Sequence, residues 1–443
     1  MTIMTMRKPL PNFGGLDSRI YLMGSFSFLW LLSFLIFARH TTPIADDYCF
    51  AKLAKLGVVK GTYEQFMTWD GNYTLTFLTV LFVGIPLLQL GAFIGSAFPF
   101  YVMQISLFGI IIFTLKSYLL IKGVKKSFLS VAGLILLVCW NAFWLSLKFT
   151  PSLPGFEFAA NFAMFSDGYL FWKTLHISYL FMYFLTLMIA IYAWKKISQK
   201  KTAHSLIFAG IVIGGSSYIL AGTVFLAMQL SIIRGGKSLV ISSIRNNLFF
   251  TASLIAATLI NYLSPGSQKR KAILDSALSS TRSIEKSAEL TIQYILESIL
   301  NYGFLFAILC GLLVAPLLRP NLFELEEIRS GFKTFLLLSF LTTIGCYFAG
   351  SSPWRYSHIF VSSWILGLLI GVFIFRSRLR KFIPRNLILS SLVLYLLWLS
   401  IHIFPDINNR YELFRIGPAP LSGIEDIESP WVNDCATAIN LDR

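Results

Sequence analysis

Two adjacent carboxylates, Asp46 and Asp47, are the strongest candidates for chemistry in this chain of 443 residues. They precede Tyr48 and come shortly after an apolar run at 20–38. A positioned carboxylate acts as a general base that takes the proton of an attacking hydroxyl. The competing interpretation is a solvated acidic start to a loop. A second acidic motif, 69–72, reads WDGN and stands at the other end of the same loop, which favours a functional site there.

Two arginines are candidates for binding an anionic group such as a phosphate. Arg270 belongs to the sequence SPGSQKR at 264–270, and Arg355 lies in the sequence PWRY. A guanidinium group binds phosphate through two parallel hydrogen bonds. The competing interpretations are a surface charge for Arg270 and a membrane-interface anchor for Arg355, which has Trp354 and Tyr356 as neighbours.

Metal and nucleotide motifs are weak in this sequence. No cluster of His, Cys and carboxylate residues has the spacing of a structural zinc site. The pair Asp46 and Asp47 leaves a divalent cation, Mg²⁺ or Mn²⁺, open, because hard cations prefer oxygen ligands. No P-loop is present, so ATP-driven transport has no support.

The composition places the chain among polytopic membrane proteins. Hydrophobic residues make up 56% and charged residues 13%, against roughly 45–50% and ~25% in an ordinary globular protein. The net charge is +16, but the basic residues form short clusters between apolar runs. Such clusters are typical of orientation signals, so we expect membrane lipids as partners and no nucleic acid.

The apolar runs predict an all-α bundle of about eleven transmembrane helices, within a range of roughly ten to thirteen, with interfacial helices in external loops. A run at 202–233 is too long for one span, and Gly214-Gly215-Ser216-Ser217 predicts a tight turn between two short helices. Segment 74–92 is open between a span and an interfacial helix. The remaining predicted spans are 20–38, 97–115, 127–147, 176–194, 246–263, 298–317, 331–349, 358–375 and 386–404.

The charge distribution predicts the orientation. With the N-terminus in the cytoplasm and 74–92 treated as interfacial, the cytoplasmic segments hold 22 of the 37 Lys+Arg residues and 4 of the 21 Asp+Glu residues. This bias follows the positive-inside rule. Loop 39–73 and a short polar tail at 405–443 are then external, after a membrane domain at 1–404. Cys49 and Cys435 would both lie outside, where a disulfide between them would persist.

These motifs resemble those of the GT-C class of glycosyltransferases, integral membrane enzymes that use polyprenyl-phosphate-linked sugars. The sequence is similar to a bacterial family within that class that has D-D-Y after the first span, W-x-G-[RN] at the end of the first loop and S-P-G-x-x-[KR] later. Here these motifs are 46–48, 69–72 and 264–270.

The resemblance implies a plasma-membrane enzyme with its active site facing outside. The donor would be a polyprenyl-phosphate sugar, and the acceptor a surface glycan, a lipid or a wall polymer. The resemblance puts the base at Asp46 or Asp47, and the remaining substrate-binding candidates are Tyr48, Trp69, Asp70, Asn72, Arg270 and Arg355.

Two other classes of protein remain open from the sequence. A multi-pass transporter or flippase for a lipid-linked or anionic solute would carry charged residues inside its spans. The predicted spans are nearly free of charge, which favours the enzyme. A non-catalytic assembly subunit would not need the acidic motifs.

Overall fold

The structure is a computed structural model that describes residues 18–38, 46–119, 126–146, 175–198, 204–234, 236–278 and 385–416. These residues are almost entirely helical and contain no β-strand, which confirms the all-α prediction for the described part of the chain. The predicted spans 298–317, 331–349 and 358–375 and the loop with Arg355 lie outside the described residues.

The helices run through the chain as follows. They are α1 (Ser18–Ala38), α2 (Asp46–Lys55), α3 (Val58–Thr68), α4 (Tyr73–Thr79), the π-helical segment π1 (Val80–Gly84), α5 (Ile85–Leu119), α6 (Lys126–Ser146), π2 (Leu175–Phe181), α7 (Met182–Ser198), α8 (Ser205–Gly214), α9 (Tyr218–Arg234), α10 (Gly236–Tyr262), α11 (Pro265–Leu278) and α12 (Arg385–Ile416).

The first loop folds into a helical hairpin. Helices α2 and α3 are joined at Gly57, whose φ of 84° lies in the left-handed region that glycine adopts without strain. Gly61 packs against the backbone of Leu53, where an added Cβ would meet the Leu53 carbonyl carbon at 3.0 Å. Part of the segment predicted as the loop 39–73 is therefore ordered helix.

The helix that follows this loop has no non-helical residue along its length, but it is sharply bent. It runs through α4, π1 and α5 from Tyr73 to Leu119. Gly95 nevertheless lies against the backbone of Pro86 and Leu87, and an added Cβ would come within 2.7 Å of the Leu87 Cα. A straight helix would separate Pro86 from Gly95 by roughly 13 Å. The chain therefore turns back between them, and the two limbs correspond to the predicted segments 74–92 and 97–115.

The long run at 202–233 is divided as the sequence predicts. Helix α8 ends at Gly214, and α9 begins at Tyr218. Gly210 and Gly214 bring α8 close to α10, since a Cβ on Gly214 would come within 2.6 Å of the Ala257 Cβ. Glycines spaced by four residues allow helix backbones to approach in this way.

The last described helix packs against the first. The Trp30 indole N–H of α1 donates a hydrogen bond to the Ser400 hydroxyl of α12 at 2.9 Å. Phe37 and Phe404 stack with their ring centroids 4.3 Å apart. Helix α12 continues through Pro405 to Ile416, so the domain boundary predicted after residue 404 falls inside a helix.

A second predicted connection is also helical. Residues 234–245 lie between the predicted spans 202–233 and 246–263 and were therefore expected to link them, but α10 already begins at Gly236. Helix α9 ends at Arg234, so the two helices lie close together along the chain.

Among the described residues, Tyr73–Leu90 is the helix that is long and apolar enough to cross a membrane by length and composition. Shorter apolar stretches occur in α1, α5, α6, α8, α9 and α12. The number of spans and their orientation remain predictions.

Candidate functional site

Three interhelix turns meet at one place, which we call the junction. The turn 69–72 joins α3 to α4, the turn 215–217 joins α8 to α9, and the turn 263–264 joins α10 to α11. The first of them carries the W-D-G-N motif, and the last opens the S-P-G motif. Two motifs about 200 residues apart in sequence are therefore neighbours in space.

The S-P-G motif has a clear local role as the start of α11. Ser264 precedes the helix, and its hydroxyl accepts the backbone N–H of Ser267 at 3.1 Å, as a helix N-cap does. Pro265 occupies the first helical position, where its missing N–H costs nothing. Gly266 allows the α3 end to approach, since a Cβ there would lie 2.7 Å from the backbone nitrogens of Trp69 and Asp70.

Ser267 connects the two motifs directly. Its hydroxyl oxygen accepts the backbone N–H of Gly71 at 2.9 Å and donates to the Asn261 carbonyl at 3.0 Å. The Tyr218 hydroxyl lies 3.0 Å from the same oxygen. Gly71 has no room for a side chain, because a Cβ there would overlap the Asn261 carbonyl oxygen and the Ser264 hydroxyl.

Asn261 ties all three turns together from a fully buried position. Its side-chain nitrogen lies 2.8 Å from the Asn72 side-chain oxygen. The same nitrogen lies 2.9 Å from the Ser216 carbonyl oxygen and 3.3 Å from the Gly214 carbonyl oxygen. A buried amide with several partners fixes its neighbours, because losing one partner leaves a desolvated polar group.

Arg270 and Asp70 form the charged part of the junction. The Arg270 Nη1 lies 2.5 Å from the Asp70 Oδ2, and the two side chains are 24% and 13% exposed. The guanidinium carbon is 5.6 Å from the centroid of the Trp69 ring, within the range of a cation–π contact. The other Asp70 oxygen accepts the backbone N–H of Asn72 at 3.2 Å. Asp70 therefore holds both the arginine and its own turn.

The glycine turn is docked onto the start of α4. The Gly215 carbonyl accepts the backbone N–H of Thr74 at 2.9 Å, and the Tyr73 hydroxyl donates to the Ile211 carbonyl at 3.2 Å. The Gly214, Gly215 and Ser216 carbonyls thus all have partners in the junction.

The D-D-Y motif lies at the start of a different helix, α2. Asp47 is fully buried at the start of α2. Tyr48 belongs to an apolar cluster with Ala51, Val83, Leu87 and Ile177. Val83 and Leu87 are roughly 15–20 Å along the bent helix from the junction residue Tyr73. Tyr48 of the D-D-Y motif therefore packs against π1 and π2, at a distance from the junction.

The structure brings together half of the residues predicted for the site. Trp69, Asp70, Asn72 and Arg270 meet at the junction, whereas Asp47 and Tyr48 lie apart from it. The Asp46 side chain and Arg355 lie outside the described part of the chain. Sequence reasoning missed three members of the junction, although the polar Asn261 within an apolar run just before S-P-G was an available signal. The members it missed are Tyr218, Asn261 and Ser267.

The residues that the structure describes contain no group of three or more His, Cys, Asp or Glu side chains that could hold a metal ion. The Asp46 side chain lies outside the described residues, so the divalent cation that the sequence left open at Asp46 and Asp47 stays a prediction.

We expect Asp70→Asn and Arg270→Gln to be coupled in a double-mutant cycle. Each single variant leaves a partly buried charge without its partner, whereas the double variant does not, so a coupling energy of about 1–3 kcal/mol should appear. Denaturant unfolding of the purified protein measures it. Pairing Asp70→Asn with Lys269→Gln is the control, because Lys269 is an exposed neighbour. If the effects of Asp70→Asn and Arg270→Gln on the free energy of unfolding were simply additive, the ion pair would be contradicted.

Cys49 provides a separate check on the first loop. Cys49 is almost fully buried and disulfide-bonded. We expect peptide mapping without reduction to recover Cys49 in a cross-linked peptide, with Cys435 as the partner that the topology predicts. Alkylation of Cys49 in the unfolded protein before any reduction would contradict the bridge.

Comparisons of this chain with protein-family models, with curated proteins and with solved structures found no match.

Proposed function

We propose that this protein is a membrane glycosyltransferase that moves a sugar from a polyprenyl-phosphate-linked donor to an extracytoplasmic acceptor. The observation that carries the proposal is the contact between the W-D-G-N and S-P-G motifs, through Gly71 and Ser267 and through Asp70 and Arg270. Short motifs that match a family by chance have no reason to meet in space. These two meet with hydrogen bonds between the motif residues themselves.

The junction contains an arginine in a fixed position, which is one of the groups that a departing phosphate needs. Stabilising the leaving group requires an oriented positive charge and hydrogen-bond donors that are already in place. Asp70 and the Trp69 ring hold the Arg270 guanidinium in one position. An arginine oriented in advance loses less freedom when the phosphate binds.

The base is Asp46 or Asp47 in this proposal. Asp47 is fully buried, so an acceptor hydroxyl reaches its carboxylate only if α2 moves relative to the residues that cover it. Such a movement would also have to bring the D-D-Y motif closer to the junction. If the base is Asp46 instead, Asp47 serves to anchor the start of α2, where a carboxylate favours the helix N-terminus.

The transporter alternative is weakened by the glycine turn. A broken helix in a transporter exposes backbone carbonyls that bind the coupling ion. Here the carbonyls of Gly214, Gly215 and Ser216 accept hydrogen bonds from Asn261 and Thr74. These hydrogen bonds hold the turn in the junction, and the three carbonyls are already used as acceptors.

Mass spectrometry of surface glycans from cells with and without the gene tests the proposal. We expect the deletion strain to lack one glycosyl residue and the wild-type gene to restore it. If the protein were a transporter, the deletion strain would instead keep the lipid-linked sugar intact on the cytoplasmic side. The purified protein would then transfer no sugar. Unchanged glycans, together with no transfer by purified protein to any acceptor fraction, would contradict the enzyme.

A further inference from the structure

The outer face of the α2–α3 hairpin combines three lysines and one acidic residue, Glu64, with exposed apolar side chains. Lys52, Lys55 and Lys60 are exposed. Leu56, Val59 and Tyr63 are 43%, 76% and 61% exposed. The opposite side of the hairpin is buried, with Phe50, Leu53 and Ala54 packed against Val80. A face of this composition fits the headgroup layer of an anionic membrane, where apolar side chains enter the lipid and lysines meet the phosphates.

The position of the hairpin limits where the helix Tyr73–Leu90 lies. Phe50 and Ala54 approach Gly84, and a Cβ on that glycine would lie 3.1 Å from the Ala54 Cβ. Gly84 and Val80 flank the middle of this helix. If the helix crossed the bilayer, Lys52 and Lys55 would stand at its centre, roughly 15 Å from either headgroup layer. Charged side chains are strongly disfavoured at that depth.

We propose that the exposed face of the α2–α3 hairpin docks onto the anionic headgroup layer of the membrane, and that Tyr73–Leu90 lies along this surface instead of crossing it. The three lysines contact lipid phosphates. Leu56, Val59 and Tyr63 enter the layer between headgroups and acyl chains. The docking does not depend on the proposed enzymatic function, because it follows from exposure, charge and packing alone.

Depth-dependent fluorescence quenching tests the docking in the full-length protein. A small fluorescent amino acid replaces Val59 in one variant and Leu29 in another, and Leu29 is exposed in the middle of α1. The proteins are reconstituted in phosphatidylglycerol vesicles with a nitroxide either at the headgroup or deep in the acyl chain. We expect the headgroup-to-acyl quenching ratio at position 59 to exceed that at position 29 by about twofold or more.

The lysines are tested by the variant with Lys52→Gln, Lys55→Gln and Lys60→Gln. Headgroup quenching at position 59 should fall by about half in phosphatidylglycerol vesicles and should change little in phosphatidylcholine vesicles. Equal loss in both lipids, or no loss in either, would overturn the anionic contact. Deep acyl quenching at position 59 would show that the helix crosses the bilayer, and no quenching by either lipid would show that the face meets water. Both results would overturn the docking.

Discussion

Replacing one of the two adjacent carboxylates, by Asp46→Asn or Asp47→Asn, should abolish sugar transfer while the protein still inserts into the membrane. The substitution keeps the size and hydrogen bonding of the side chain but removes the charge that accepts the proton. General-base catalysis contributes roughly 10²–10⁴-fold, so the loss should greatly exceed the scatter of an assay with purified lipid-linked donor. The other variant should be milder.

The matched control for these variants is Glu64→Gln, which removes a carboxylate from the exposed face of α3 in the same loop. It should keep transfer near the wild-type rate, at equal amounts of membrane protein. If both aspartate variants and the double variant also keep near-normal transfer, the catalytic assignment fails, and the resemblance to GT-C enzymes carries no mechanism.

The second large effect is expected at the glycines of the junction. Gly71→Ala would place a Cβ against the Asn261 carbonyl, and Gly266→Ala would place one against the Phe66 carbonyl at 2.6 Å. Overpacking costs ~1–3 kcal/mol when side chains give way. Here the obstacle is backbone held by its own hydrogen bonds, so we expect about 3 kcal/mol or more and a loss of transfer.

Gly222→Ala and Gly109→Ala are the controls for the glycine variants. Both glycines lie in helices, and an added Cβ would meet nothing within 4 Å. Alanine should be neutral there, or stabilising by about 0.4–1 kcal/mol, because it restricts the unfolded chain more than glycine does. The free energy of unfolding, measured with denaturant, distinguishes the Gly71 and Gly266 variants from the Gly222 and Gly109 variants. Equal stability of Gly71→Ala and Gly222→Ala would show that the motifs are not in close contact in solution.

Local patterns in the sequence were sufficient for most of the helices. The apolar runs at 20–38, 127–147 and 176–194 correspond to α1, α6 and the π2–α7 helix, with ends within a few residues. The break at Gly214 was also predictable, because a glycine pair with two serines interrupts a helix wherever it occurs. Such features depend on residues that are close together in the sequence, so composition and periodicity are enough to predict them.

Helix ends set by packing were less predictable. The span predicted at 386–404 corresponds to α12, yet α12 continues through Pro405 to Ile416. Proline removes one backbone hydrogen bond but does not always end a helix, and Phe404 has a stacking partner in Phe37. The contact between α1 and α12 joins the first and last described helices, and no local pattern in the sequence predicts it.

The sequence by itself determined which residues could do chemistry, and only the tertiary structure decided which of them meet. Trp69, Asp70, Asn72 and Arg270 form one unit because the buried Asn261 and Ser267 hold three turns together. Tyr48 packs instead on the middle of the bent helix, and the neighbouring Asp47 is fully buried. Contacts across about 200 residues depend on how the helices pack, and the packing is set by shape and by buried polar partners that no spacing in the sequence encodes.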